Sequence, residues 1–258
     1  MLIIVFILGL IIGSFLNVVI LRYNTGRSLG GRSGCFSCGK VLHWYELLPV
    51  ISFLVQGGKC RGCGSKVSWQ YPLVEFATGL LFALVYSVFA SAGGILIALY
   101  LIVASLLVVI TVYDLRHKII PDLFVFLFIF LGLLQAFFLP GSLLVNIEAT
   151  IIGGLATALP LFLLWAVSRG RWLGFGDVKL ALGMGLFLGV RNGLSSLMLA
   201  FWLGAIIGVA LITIPKLLKK KKKGAYHMKS ELPFAPFLIV SFLISLLLNF
   251  NVINVFLF

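Results

Sequence analysis

The chain has 258 residues, of which 62% are hydrophobic and only 10% are charged, and its mean hydropathy is +1.19. Soluble domains are about 45–50% apolar and about 25% charged, so this composition excludes an ordinary water-soluble domain and indicates a protein surrounded largely by lipid. The net charge of +13 suits basic cytoplasmic loops beside a bilayer better than a nucleic-acid interface. We therefore expect a polytopic, all-α membrane protein with the lipid bilayer, and no nucleic acid, as its partner.

The first predicted element is a membrane-spanning helix at the start of the chain. The apolar run of residues 2–21 has about the 20 residues that cross a bilayer as a helix. No basic residue precedes this run and no small-residue cleavage site follows it, so the run does not have the pattern of an export signal. We expect residues 1–21 to form a retained first span.

The polar segment after this span, residues 22–72, contains all four cysteines in two Cys-x-x-Cys pairs with 21 residues between the pairs. This spacing is close to that of a four-cysteine zinc site, and a metal would stabilise a segment too small to bury much core. Two disulfides or a redox pair are the alternatives, but a reducing cytoplasm disfavours disulfides. We expect a structural zinc ion with four thiolate ligands and no open coordination site, bound by Cys35, Cys38, Cys60 and Cys63.

Seven further apolar runs follow, which brings the expected number of transmembrane helices to about eight. The sixth of the eight, residues 180–190, is too short to span by itself and is the weakest of the set. Residues 73–258 are expected to form a membrane-embedded core. Its predicted spans are 73–92, 95–113, 123–139, 143–167, 180–190, 194–214 and 234–258.

The distribution of basic residues supports eight spans. If the loop after the first span is cytoplasmic, 19 of the 20 Lys and Arg lie in cytoplasmic segments and only Arg191 lies outside, with both termini outside as well. Omitting the short sixth span would move the lysine run of residues 216–223 to the wrong side. We interpret that run as a topology anchor beside acidic headgroups and not as a nucleic-acid patch. The cytoplasmic segments are 22–72, 114–122, 168–179 and 215–233.

Two aspartates, Asp114 and Asp177, are the candidate chemical groups, because each lies where a predicted span meets the cytoplasm. They are 63 positions apart in sequence but at the same expected membrane depth, so helix packing could bring their carboxyl groups together. Gly174 and Gly176 remove side chains where a substrate strand would have to approach. Two such carboxyls can share a proton, so that one activates a water while the other polarises a scissile carbonyl, as in aspartic proteases.

A structural interpretation of the same aspartates stays open. Each carboxylate could simply pair with a nearby cation, which would be Arg116 or Lys118 for Asp114 and Lys179 for Asp177. A separate aspartate, Asp122, follows a proline and is expected to cap the start of the fourth span.

The motifs resemble those of the bacterial type IV prepilin leader peptidases, which are polytopic aspartic proteases of the GxGD type. A lone GxGD would be weak evidence, but here the motifs occur together and in the expected order over about residues 13–240. They are GSFLN at 13–17 with Arg22, WYELLPV at 44–50 between the cysteine pairs, YPLVEFATG at 71–79, IIPD at 119–122, GFGDVK at 174–179 and LPFAPF at 232–237.

The resemblance implies that Asp114 and Asp177 are the catalytic pair of a peptidase in the bacterial inner membrane, with its active site facing the cytoplasm. Its substrates would be type IV prepilins or pseudopilins, cleaved after a glycine that ends a basic leader. It also implies N-methylation of the new amino terminus with S-adenosylmethionine as the methyl donor. Binding of the substrate or the methyl donor is expected of Glu46, Glu75, Gly174, Gly176 and Lys179.

Other interpretations remain beside this one. Glu46 could bind a loop arginine, and Glu75 could be present because a carboxylate in the first turn of a helix is favoured by the helix dipole. A protein of a different class, a non-enzymatic transporter or secretion-assembly scaffold with a structural zinc loop, would use the aspartates to carry protons. Cleavage of a substrate by the purified protein distinguishes a peptidase from such a scaffold.

Overall fold

The computed structural model describes residues 1–217 and 232–252, except for the side chains of residues 212 and 214–217. Within this part of the chain the regular elements are helices, with two isolated β-bridges in the cysteine segment, so the expected all-helical fold is confirmed there. The side chains of the lysine run at 216–223 lie outside the described residues. The helices are α1 (Leu2–Arg22), a 3₁₀ turn (Trp44–Leu47), α2 (Ile51–Val55), α3 (Gln70–Phe89), α4 (Gly94–His117), α5 (Asp122–Gln135), α6 (Leu143–Ser168), α7 (Phe175–Leu217) and α8 (Ala235–Leu248).

The chain divides into two compact units, Met1–Val109 and Ile110–Phe258, with the boundary inside α4. Five of the described helices are long and apolar enough to cross a membrane: α1, α3, α4, α6 and the Phe175–Leu211 part of α7. The helices α5 and α8 are apolar but have only 14 residues each. The five long apolar helices make the chain a multi-pass membrane protein.

In the first unit, α1 and α3 run antiparallel and approach each other closely at glycines. Asn17 Nδ2 donates a hydrogen bond to the carbonyl of Tyr71 at 3.2 Å. One turn before Asn17 in α1, a Cβ atom placed on Gly13 would lie only 2.8 Å from the Cα atom of Glu75. Small residues at such a crossing let two membrane helices pack backbone to backbone.

The start of α3 differs from the sequence prediction. This helix begins at Gln70 instead of residue 73, and it has no acidic residue in its first turn. Glu75 therefore lies in the second turn, and the suggestion that the helix dipole accounts for it is wrong. Another interaction must therefore account for the position of the Glu75 carboxylate.

In the second unit, α7 reverses direction at Gly189, whose backbone is not helical (φ 70°, ψ −177°). A Cβ atom on Gly193 would lie 3.4 Å from the Cα atom of Gly185. In a continuous α-helix these two positions would be about 12 Å apart along the axis. The segments before and after Gly189 therefore run antiparallel, and the first of them begins at Phe175, five residues before the predicted sixth span.

Helix α6 packs against this reversal through glycines as well. A Cβ atom on Gly185 would lie 2.3 Å from the carbonyl oxygen of Gly153 and 2.6 Å from Thr157 Oγ1. Thr157 donates a hydrogen bond to the same carbonyl at 2.9 Å. A side chain at Gly185 would therefore force α6 and α7 apart.

We expect Gly185→Ala to destabilise the protein by about 1–3 kcal/mol, because overpacking a tight contact displaces backbone. The matched control is Gly204→Ala, since a Cβ atom there meets its nearest neighbour, the Phe237 ring, at an ordinary 3.6 Å. Thermal unfolding in detergent should show a lower midpoint for the first variant alone. Equal midpoints for the two variants would contradict the packing described for α6 and α7.

Candidate active site

The structure places both candidate aspartates at one cleft of the second unit. Asp114 lies in the last turns of α4 and Asp177 in the first turn of α7, with 4% and 8% of their surfaces exposed. They line the same cleft, of about 490 Å³, and their charges are close enough to interact electrostatically. The sequence prediction that folding brings these two residues together is therefore met by the geometry. The other lining residues are Lys118, Ile119, Ile120, Asp122, Gly170, Arg171, Trp172, Leu173, Gly174, Gly176, Leu232, Pro233 and Phe234.

The two glycines of the GFGD motif have separate local roles. A Cβ atom on Gly176 would lie 3.0 Å from Cβ of Ile120, so glycine lets the start of α7 pack against the segment before α5. A Cβ atom on Gly174 would lie 3.5 Å from Asp177 Oδ2, in ordinary contact with the carboxyl group. Glycine at this position thus leaves one side of the Asp177 carboxyl group uncovered in the cleft.

The Asp114 carboxyl group has one interaction with the main chain and one free oxygen. The backbone N–H of Ala235, the first residue of α8, interacts with this carboxyl group. Its Oδ2 atom is buried and has no hydrogen-bond partner among the described residues. Because buried polar atoms in proteins are nearly always hydrogen-bonded, this oxygen is a ready acceptor for a water or a substrate group.

The contribution of Ala235 was not found from the sequence, because the contact comes from a backbone N–H and not from a side chain with recognisable chemistry. The only signal was indirect. Proline at positions 233 and 236 is typical of a helix start, and a helix start presents free N–H groups.

In the described part of the chain, the cations that are nearest in sequence do not form ion pairs with the two aspartates. Lys179 forms its ion pair with Asp122, and its ammonium group also lies 5.3 Å from the centroid of the Phe126 ring. Within the part of the chain that the structure describes, neither Asp114 nor Asp177 forms an ion pair. Asp122 begins α5 as expected, but the N-cap position is occupied by Pro121, so the expectation that Asp122 caps this helix is wrong.

The four cysteines of the first unit lie together as the sequence predicts. Their sulfur atoms are all within 4.8 Å of one another, and Cys35 Sγ lies 3.8 Å from Cys63 Sγ. Tetrahedral thiolate ligands with metal–sulfur bonds of about 2.3 Å have sulfur atoms about 3.8 Å apart, so the cluster fits a structural zinc ion. The glycine that follows each pair has a positive φ, 71° for Gly39 and 70° for Gly64, which suits a tight turn around the thiolate ligands.

Backbone N–H groups also lie close to two of the sulfur atoms and favour the thiolate form of Cys35. The N–H groups of Ser37 and Gly62 each lie 3.4 Å from a sulfur atom, of Cys35 and Cys60 respectively. The backbone of Cys38, followed by that of Ser37, lowers the pKa of the Cys35 thiol to about 6. Since the thiolate is the metal-binding form, the chemistry of these donors matches a metal site.

The two glutamates predicted to bind substrate or methyl donor are engaged within the first unit. Glu46 is buried, and it accepts hydrogen bonds from the backbone N–H of His43 at 2.9 Å and from Lys40 Nζ at 3.2 Å. These two donors, the His43 N–H first, hold the pKa of Glu46 below its usual range. Its cationic partner is thus a loop lysine and not a loop arginine. Glu75 accepts a hydrogen bond from the backbone N–H of Val50 at 2.8 Å.

Comparison with known proteins gives two matching family models. Residues 7–89 match the bacterial peptidase A24 N-terminal domain, and residues 101–209, which include both aspartates, match the type IV leader peptidase family. No solved structure matches the chain.

Curated relatives cover most of the chain. Proteins named prepilin leader peptidase/N-methyltransferase from Bacillus subtilis and Aeromonas hydrophila are each 32% identical, over 98% and 94% of this chain and 97% and 89% of their own lengths. A protein of the same name from Myxococcus xanthus is 38% identical over 80% of this chain, a match that spans 62% of the relative.

Proposed function

Because the chain belongs to the type IV leader peptidase family, we propose that it is a membrane aspartic endopeptidase that removes leader peptides from type IV prepilins or pseudopilins. Asp114 and Asp177 are its catalytic pair. The observation that carries this proposal is their joint burial at one cleft, where neither forms an ion pair with any residue that the structure describes. The family match does not favour the alternative of a non-enzymatic transporter or scaffold.

The proposed reaction uses the two carboxyl groups in complementary protonation states. The ionised carboxylate removes a proton from a water molecule, whose oxygen bonds to the scissile carbonyl carbon, while the protonated carboxyl donates a hydrogen bond to the carbonyl oxygen. Collapse of this intermediate breaks the C–N bond, and the leaving amine takes up a proton from the pair. The unpartnered Oδ2 of Asp114 and the uncovered side of Asp177 provide places for the water and the carbonyl.

The lining of the cleft supports a substrate with a small residue at the cleavage site, followed by an apolar segment. Gly174 leaves room for an extended peptide backbone beside Asp177, whereas the space at Gly176 is filled by Ile120. Ile119, Leu173 and Phe234 supply apolar surface for the first residues of the pilin helix. Cleavage after glycine, as the family resemblance implies, suits this arrangement.

We also propose that the chain crosses the bacterial inner membrane eight times. The reversal of α7 at Gly189 turns one long helix into two antiparallel segments, which with the six other apolar helices make eight. The cleft is lined by residues from segments 114–122, 168–179 and 215–233, all of which the positive-inside rule assigns to the cytoplasm. The active site therefore faces the cytoplasm, and residues 73–258 form the peptidase core.

Residues 22–72 are proposed to form a zinc-binding loop that serves a second activity, N-methylation of the new amino terminus. The cysteine geometry supports zinc, and the names of the relatives include N-methyltransferase. S-adenosylmethionine would supply the methyl group. Glu46 and Glu75 are already held by backbone N–H groups of the loop, so we assign no step of methyl transfer to them.

Asp114→Asn and Asp177→Asn should each lower the rate of prepilin cleavage at least 100-fold, because general acid–base catalysis contributes about 10²–10⁴. The measurement is cleavage of a purified prepilin in detergent. Glu148→Gln is the matched control, since Glu148 is exposed and does not line the cleft, so the loss of its charge should leave the activity unchanged. Normal cleavage by either of the first two variants, with all three proteins folded, would refute the catalytic assignment.

Protein purified under reducing conditions should contain about one zinc ion per chain, as expected for a single four-thiolate site. The double variant Cys35→Ser with Cys60→Ser should lose the metal and methylate poorly, while cleavage survives at least in part because the aspartates belong to the other unit. Ser37→Ala, between two of the ligands, is the control and should retain zinc. Zinc-free wild-type protein, or an unchanged metal content in the double variant, would count against the site.

A further inference from the structure

We propose that residues 47–55, the Val50 loop, enter the cytoplasmic leaflet and expose their apolar side chains to lipid acyl chains. The Val50 loop is the sequence LLPVISFLV, which includes α2 and contains no charged residue. It belongs to the segment that the sequence alone assigns to the cytoplasm. The inference concerns only the first unit and does not depend on the peptidase chemistry.

The exposed surface of the Val50 loop is apolar. Ile51, Leu54 and Val55 are 59%, 64% and 68% exposed, and no residue of α2 is buried. A contiguous patch of this kind in water marks a surface that is normally covered by a partner or a membrane.

The depth of the Val50 loop follows from its attachment to α3. The Val50 N–H donates to Glu75 Oε2, and Glu75 lies directly opposite Gly13 of α1. Glu75 is five residues from the start of α3 and Gly13 is nine residues from the end of α1, which correspond to about 7 Å and about 13 Å of helix. Because helical side chains tilt towards the helix N-terminus, Val50 lies between the level of the Glu75 backbone and the cytoplasmic end of α3.

Glu75 supplies a hydrogen-bond acceptor for irregular backbone at this depth. In lipid each backbone N–H needs an internal partner, and non-helical backbone is tolerated only where the protein supplies one. Val50 has φ 60° and ψ −49°, a strained conformation for a β-branched residue, which persists only when its surroundings fix it. The buried Glu75 carboxylate accepts the Val50 N–H, so Glu75 acts as a positioning residue for the loop.

After Val50 the chain is expected to lead back to the membrane surface. The Phe53 ring lies 4.9 Å from the ring of Trp69, which precedes α3, so α2 rises from the level of Glu75 towards the helix start. The residues that follow α2 include the exposed cations Lys59, Arg61 and Lys66, which suit acidic headgroups.

Lipid is the occupant that these contacts favour, because the loop is bonded through Val50 to α3, a helix that itself exposes large apolar side chains. Phe76, next to Glu75 in the sequence, is 52% exposed on a helix long and apolar enough to cross the membrane. A side chain at Ile51, next to the anchored Val50, is expected at nearly the same depth as Phe76.

The experiment places a spin-labelled p-acetylphenylalanine at Ile51, Phe76 or Ser37 in the full chain reconstituted into liposomes, which leaves the four cysteines intact. Collision rates with membrane-soluble oxygen and water-soluble nickel complex then give the depth of each label. We expect the labels at Ile51 and Phe76 to agree in depth within about one helical turn, 5.4 Å. The label at Ser37, an exposed residue of the cysteine segment, should collide freely with nickel.

Two results would overturn the proposal. A label at Ile51 that collides with nickel as often as the label at Ser37 would place the loop in water. A label shielded from both reagents would mean that protein, either another segment or a second copy of the chain, covers the patch.

The anchoring role of Glu75 has its own variants. Glu75→Ala should move the label at Ile51 towards water while the label at Phe76 stays in the membrane, whereas Glu75→Gln, which keeps an acceptor oxygen, should preserve both depths. An unchanged depth at Ile51 in Glu75→Ala would remove Glu75 as the anchor. If that variant does not fold, the comparison of Ile51, Phe76 and Ser37 in the unsubstituted background still decides the depth of the loop.

Discussion

The second unit depends on holding two carboxyl groups at one cleft beside a bilayer, where an uncompensated charge is costly. The structure limits the competing interactions. Asp122 engages Lys179, which would otherwise be the nearest cation to Asp177 in the sequence, and the start of α8 directs a backbone N–H at Asp114. An N–H at a helix start favours negative charge without being able to transfer a proton. Among the residues that the structure describes, the pair is thus supported without an ion pair, as the proposed shared-proton mechanism requires.

The same constraint operates in the first unit with a different outcome. Glu75 is buried, as the aspartates are, but its carboxylate accepts a backbone N–H from the Val50 loop. Glu46 likewise satisfies the backbone at His43 and the charge of Lys40. We infer that the buried carboxylates of the described residues have two uses, chemistry for the aspartates and loop structure for the glutamates, and that their partners distinguish these uses. The aspartates lack ion pairs among the described residues, while the contacts of both glutamates hold loop backbone in place.

Much of this arrangement could be predicted from the sequence, because its signals are local and strong. Runs of about 20 apolar residues predict spans, and the Cys-x-x-Cys spacing predicts the cysteine cluster. The proximity of Asp114 and Asp177 was predicted from topology and from the family resemblance. These inferences needed only composition, spacing and the side of the membrane on which each loop lies.

What could not be predicted depends on the backbone and on contacts between distant residues. The reversal of α7 occurs at Gly189, where glycine permits a positive φ. The residues around Gly189 do not distinguish it from the neighbouring glycines. The contact of Ala235 with Asp114 comes from the main chain, and the pairing of Lys179 with Asp122 joins residues 57 positions apart. The proposed membrane contact of the Val50 loop was not predicted from the sequence, because the surrounding segment is polar and has the composition of an aqueous loop.

The most direct test of the central claim is to find where a substrate cleavage site binds. A photoreactive residue placed in a prepilin immediately after the cleaved glycine can be cross-linked to the enzyme and the adduct mapped by mass spectrometry. The account predicts adducts within residues 114–122 and 170–177, which line the cleft that holds both aspartates. Adducts confined to residues 1–109 would contradict it, because the scissile bond would then lie away from the proposed catalytic pair.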